Sequence, residues 1–105
     1  MQAEVNNVFV HEKVVDYIIA LINKTRGNPD LLRGGSPRAT LALTSMSKAY
    51  AYMNGKDYVV PQDVQKVFLP AITHRLILTP EAEVNSKKTS DIAKDILANT
   101  FVPKV

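Results

Sequence analysis

The chain has 105 residues, 46% hydrophobic and 22% charged, which suits one globular domain with one core and leaves no room for a second. It has no cysteine, no apolar run near the roughly 20 residues that span a bilayer, and no basic-then-apolar start of the signal-peptide kind, so disulfides, cysteine-zinc chemistry and a membrane span are excluded and the cytoplasm is expected. The net charge of +3 comes from thirteen basic residues scattered between Lys13 and Lys104 among ten acids, so no basic block announces nucleic acid.

Residues 1–9 read as the end of a linker and 10–105 as the domain, with Val8, Phe9 and Val10 a short apolar segment at the join. From His11 to about Arg26 the spacing predicts a first helix. Val14, Tyr17, Ile18, Leu21 and Ile22 fall at i, i+3, i+4, i+7 and i+8, and Val15 and Ile19 widen the stripe. Gly27 is a candidate cap, Asn28-Pro29-Asp30 is turn chemistry, and Leu31 and Leu32 are expected to fold back onto the core.

The stretch Gly34-Gly35-Ser36-Pro37-Arg38-Ala39 then closes a loop and opens the longest helix. Ser36 reads as an N-cap whose hydroxyl satisfies an orphan N–H, and Pro37 as the first helical residue, where its missing N–H costs nothing. Arg38 leaves the first turn. An arginine fork beside a helix N-terminus, with its free N–H groups and partial positive charge, is a candidate phosphate site. The two glycines permit a tight bend or close approach to a ligand.

The second helix is predicted from Pro37 to Met53, with Ala39, Ala42, Leu43, Met46, Ala49, Tyr50 and Met53 on its core face and Asn54-Gly55 ending it. Asp57-Tyr58-Val59-Val60 reads as a brief extended piece. Pro61 opens a third helix, with Asp63 in its first turn and Val64, Val67, Phe68 and Ile72 buried; Pro70 is expected to kink or split it before His74 and Arg75. After Leu76-Ile77-Leu78, residues 79–88 read as a mobile polar connector. Thr89 or Ser90 caps a fourth helix, with Ile92, Ala93, Ile96, Leu97 and Phe101 as its stripe and Pro103 as its stop. The expectation is an all-α, four-helix bundle with at most vestigial strand pairing between 58–60 and 76–78.

Candidates for independent catalysis are few. His11 and His74 stand at opposite kinds of helix end and share no face, so no metal site is expected. Asp57 and Asp63 could be taken as an acid/base pair, but a first-turn acid such as Asp63 is better explained as helix stabilisation. Gly55-Lys56 is followed by Asp57 and lacks the glycine offset of a phosphate-binding G-x-x-x-x-G-K-[ST] loop, so the chain is not expected to hydrolyse ATP by itself.

Several motifs arrive together in a recognisable order: Asp16-Tyr17-Ile18, Thr25-Arg26, Gly34-Gly35-Ser36-Pro37-Arg38-Ala39, Gly55-Lys56-Asp57-Tyr58-Val59 with Pro61 and Asp63-Val64, and His74-Arg75-Leu76. From about residue 8 to 103 the chain resembles the C-terminal helical lid of MoxR-type AAA+ ATPases. The resemblance implies that residues 1–9 lead in from a P-loop ATPase core upstream and that 10–105 form the lid. It makes Gly34, Gly35, Ser36, Pro37 and Arg38 the sensor 2 segment, with Arg38 assisting catalysis at the γ-phosphate of ATP held, with Mg, by that core. The arginine would serve its own subunit's nucleotide or a neighbour's.

The implied partners are the P-loop core, neighbouring subunits of a homo-oligomeric ring, and remodelled proteins that include von Willebrand factor A-type domains. Gly35 stands where the family usually has alanine, Lys56 where it usually has arginine, and Asn85-Ser86-Lys87-Lys88 replaces a glycine-containing turn, with Asn85 the candidate for the left-handed conformation. Lysine at 56 lacks the two-pronged contact of arginine, which weakens a subunit-docking role there. Arg26 and Arg75 match recurring family positions, with structural salt bridges the plainer account. The alternative function is a free-standing helical module that binds nucleic acid or another protein.

Overall fold

Five α-helices and four very short strands build the domain in the computed structural model, which describes residues 8–33 and 36–104, and the side chains of all of these except Arg33 and His74. Strand β1 (Phe9–Val10) leads into α1 (Glu12–Arg26), then β2 (Leu31–Arg33), α2 (Pro37–Met53), β3 (Tyr58–Val59) and α3 (Pro61–Ile72). A 3-10 turn (Thr73–Arg75), β4 (Ile77–Leu78), α4 (Pro80–Val84) and α5 (Thr89–Asn99) complete it.

Helix α1 starts where His11 Nδ1 accepts the Lys13 N–H at 3.0 Å. It buries Val14, Tyr17, Ile18, Leu21 and Ile22 as the spacing predicts, while Val15 and Ile19 face solvent, so the stripe is narrower than expected. Each fully buried leucine or isoleucine contributes roughly 1.5–3 kcal/mol. Thr25 is buried too, its hydroxyl donating to the Ile22 carbonyl at 2.5 Å.

Helix α2 has the predicted bounds but a different core face. Its buried residues are Ala39, Leu43, Ser47 and Ala51, one every four positions; Met46 is half-buried, and Met53 is 79% exposed rather than in the core. The reason is helical pitch: a row spaced by four advances about 40° per step on a 3.6-residue turn, so by the last turn it has left the predicted face. Its small members let α3 come close, and α2 with α3 forms the most extensive helix contact of the domain. Ser47 is tolerated there because its hydroxyl donates to the Leu43 carbonyl at 2.7 Å.

Pro70 does not split α3. It lies on the exposed side, where the carbonyl it leaves without a helical partner is not sealed in the core, and the helix continues to Ile72 before tightening into the 3-10 turn. Arg75 Nη1 donates to the Ala71 carbonyl at 2.6 Å, closing that end.

The expected mobile connector contains α4, which makes five α-helices among the described residues instead of four. Thr79 Oγ1 accepts the Ala82 N–H at 3.1 Å, Pro80 takes the first helical position, and Ala82 is buried. The helix ends in a Schellman turn: Lys87 N–H donates to Ala82 and Ser86 N–H to Glu83, both at 3.0 Å. The left-handed residue is Ser86, φ 59°, and not Asn85, φ −82°. Helix α5 has Lys88 at its N-cap with no side-chain bond, so neither Thr89 nor Ser90 caps it. Phe101 is 84% exposed and does not belong to its buried stripe of Ile92, Ala93 and Ile96.

The strand pairing also differs from expectation. Residues 58–59 pair with the entry strand, β1 parallel to β3 with Phe9 opposite Tyr58, and 77–78 pair with β2 in antiparallel register. Val8 is buried, so residues 8–10 are part of the packed body. Such short strands carry almost no local preference for a partner; helix packing decides which edges meet. Phe68, Ile18, Leu21, Ile22, Leu43, Ile72, Val14, Val59 and Val64 form the solvent-free centre between α1, α2 and α3.

Candidate functional site

The chain approaches the N-terminus of α2 along a pinned path. Asn28 Oδ1 accepts the Asp30 N–H at 2.8 Å, the Asp30 carbonyl accepts the Thr79 N–H at 2.9 Å, and the Asp30 carboxylate pairs with Lys87 Nζ at 2.8 Å. Strand β2 then carries it to Arg33 beside Ile77. Of the predicted site residues, Gly34 and Gly35 lie outside the described residues, as does the side chain of His74.

Ser36 occupies the N-cap with φ −93° and ψ 174°. Its carbonyl accepts the N–H groups of Ala39 at 2.9 Å and Thr40 at 3.3 Å. Its hydroxyl makes no cap bond, contrary to expectation. Pro37 is the first helical residue as predicted, and Ala39 anchors the turn in the core. Arg38 projects between them as an exposed side chain, and among the described residues nothing hydrogen-bonds or pairs with its guanidinium.

No acid lies in the first turn of α2. The positive end of the helix dipole therefore adjoins an arginine rather than a carboxylate, an arrangement that disfavours the isolated helix by about 0.3–1 kcal/mol and favours an outside anion by the same physics. The guanidinium supplies a planar, two-pronged donor set.

The start of α3 is the opposite case. Asp63 is 4% exposed and accepts three hydrogen bonds, from Lys56 Nζ at 2.9 and 2.7 Å and from the Val60 N–H at 3.0 Å. Lys56 is delivered by the Schellman turn that ends α2: Gly55 has φ 76°, and the Lys56 and Gly55 N–H groups return to Ala51 and Tyr52. Its Nζ also lies 5.6 Å from the centre of the Tyr58 ring. This ion pair was missed in the sequence, although a glycine-lysine turn seven residues before a first-turn acid is a signal for it. It gives Lys56 an internal task, and it removes the imagined Asp57–Asp63 acid/base pair: Asp57 is exposed and contributes its carbonyl to the Phe9 N–H at 2.8 Å.

Arg26 donates to Asn23 Oδ1 at 3.5 Å, and Arg75 closes α3 through a carbonyl rather than a salt bridge. Among the described residues no group of three histidine or acidic side chains is placed to hold a metal, and no helix is long and apolar enough to cross a membrane.

The sequence profile described as AAA lid domain matches residues 23–96. Chaperone MoxR1 of Mycobacterium tuberculosis is 33% identical over 94% of this chain and 29% of its own length. The uncharacterized protein YeaC of Bacillus subtilis is 35% identical over 98% of this chain and 32% of its own. A crystal structure of a Cytophaga hutchinsonii protein, inferred to be an ATPase, superposes with a TM-score of 0.92 at 34% identity, over 97% of this chain and 34% of that one. The chain thus spans about a third of the length of the relatives it matches. A profile match over most of the chain, and a shared fold at this level of identity, make it a member of the AAA lid domain family, of the kind found in MoxR-like ATPases.

Proposed function

We propose that this lid senses nucleotide through Arg38, as the sensor 2 arginine of a MoxR-like AAA+ ATPase. The observation that carries the reading is an exposed arginine without an internal partner among the described residues, on a helix start that has no first-turn acid. These residues fit a phosphate: the fork binds two oxygens, and no carboxylate of the same turn competes for it. ATP held by the P-loop core, with its Mg, supplies the phosphoryl group; Arg38 binds and orients the γ-phosphate and stabilises the charge that develops on transfer. Loss of that phosphate removes the arginine's main partner. Because α2 and α3 pack as one body, a change at the α2 start is passed to the whole lid.

On this reading residues 1–9 join the lid to the core, 10–105 form the lid, and Gly34, Gly35, Ser36 and Pro37 belong with Arg38 to the nucleotide-binding segment. The lid contributes to ATP binding, hydrolysis and assembly of a cytoplasmic homo-oligomeric ring that remodels partner proteins, von Willebrand factor A-type domains among them. The test is steady-state ATP hydrolysis by the lid joined to its core, with and without Arg38→Ala, alongside nucleotide affinity and ring assembly. Turnover is expected to fall by on the order of 10² while rings persist. Unchanged turnover in intact rings would refute the sensor role. Rings mixing Arg38→Ala subunits with subunits disabled in the core separate action on the subunit's own nucleotide from action on a neighbour's.

A further inference from the structure

After α5 ends at Asn99, the chain lies back along the outer face of α1 and leaves a groove between them, formed by two adjoining hollows of about 480 and 370 Å³. Lys13, Asp16, Ala20 and Lys24 of α1 line one side, and Phe101 and Lys104 the other. Three features of this groove point the same way. Phe101 presents nearly its whole ring to solvent at 84% exposure, where a monomer gains nothing from it. Three lysines surround the groove against one acid; Lys24 already donates to the Asn99 carbonyl at 2.6 Å, which leaves Lys13 and Lys104 exposed and positively charged. Among the described residues, no hydrogen bond engages the backbone of residues 101–104, so the carbonyls of this segment and the N–H groups of Phe101, Val102 and Lys104 have no partner, Pro103 having no N–H to offer.

We propose that this groove docks an acidic, extended segment of a partner protein. An apolar side chain of that segment seats against Phe101 and Ala20, its carboxylates face Lys13 and Lys104, and its backbone meets the edge that carries the Val102 and Lys104 N–H groups, the edge that Pro103 does not interrupt. The occupant is an acidic peptide rather than a nucleic acid because the groove keeps an acid, Asp16, in its wall and offers one aromatic ring, not a series of them for stacked bases. This surface is separate from the residues assigned to nucleotide sensing, so it stands whether or not Arg38 is the sensor.

The probe is a labelled peptide alternating glutamate with leucine and phenylalanine, titrated by fluorescence anisotropy into the 105-residue chain. A Kd of roughly 10–100 µM is expected. It should weaken about tenfold between ~50 and ~300 mM salt, and about tenfold when glutamine replaces glutamate. Phe101→Ser and the pair Lys13→Glu with Lys104→Glu should each reduce affinity about tenfold, whereas Lys66→Glu with Lys88→Glu, the same charge change away from the groove, should do so by less than about threefold. All these side chains are exposed, and circular dichroism checks that the variants keep the fold. The proposal is overturned if the glutamine peptide binds equally well, if the groove variants bind like the control pair, or if sedimentation shows a Phe101-dependent dimer that excludes the peptide.

Discussion

Three helices of this lid begin with the same local signal, an extended residue followed by proline at the first helical position, and the two long ones, α2 and α3, end up opposite in character. At the start of α3, the chain supplies everything the helix end requires: a buried first-turn carboxylate, a backbone N–H bound to it, and a lysine brought in by the preceding turn. At the start of α2 it supplies an arginine and no acid, and the N-cap hydroxyl is left out of the cap. One end is completed from within. The other keeps an exposed arginine and no first-turn acid, and that difference, more than the presence of an arginine, is what supports the proposed phosphate-sensing role of the α2 start.

The comparison can be broken hardest at its closed end. Asp63→Ala should lower unfolding free energy by about 2–3 kcal/mol, less than a fully buried pair because Lys56 is partly solvated, and urea denaturation reads this directly. A loss under about 0.5 kcal/mol would mean that the α3 end is no more sealed than that of α2. Gly55→Ala comes next. An added Cβ meets nothing within 4 Å, so the cost is conformational, about 1 kcal/mol from φ 76°, seen as a lower denaturation midpoint.

Ser86→Gly runs the other way, raising stability by about 0.5–1 kcal/mol by relieving the same left-handed geometry at the end of α4. The smallest expected stability effect is the most informative. Arg38→Glu should stabilise the chain by about 0.5 kcal/mol, since an acid suits a helix N-terminus better than an arginine does, while joined to its core it should abolish nucleotide sensing. A clear loss of stability would show that Arg38 serves the fold instead.

Much of the candidate site was legible because helix grammar is local. Pro37 at the first turn, Arg38 after it, and the far end at Asn54-Gly55 follow from backbone preferences that neighbouring residues set among themselves. The missing Ser36 cap was not legible, since a hydroxyl's choice of partner depends on rotamer and loop path. Helix α4 was overlooked although Thr79-Pro80-Glu81 is a start signal of the same kind, because five residues are too few to show a period.

By itself, then, the sequence determined the all-helical class, the bounds of the long helices and the position of Arg38, each dictated by capping residues, prolines and apolar spacing within a few turns of chain. Tertiary structure decided which short strands pair, that α2 buries Ser47 and Ala51 and exposes Met53, that Ser86 takes the left-handed conformation, and that Lys56 closes on Asp63 while no described residue closes on Arg38. The physical reason is the range of the forces involved: local preferences act through neighbouring bonds, whereas burial and charge pairing depend on what the folded chain brings alongside.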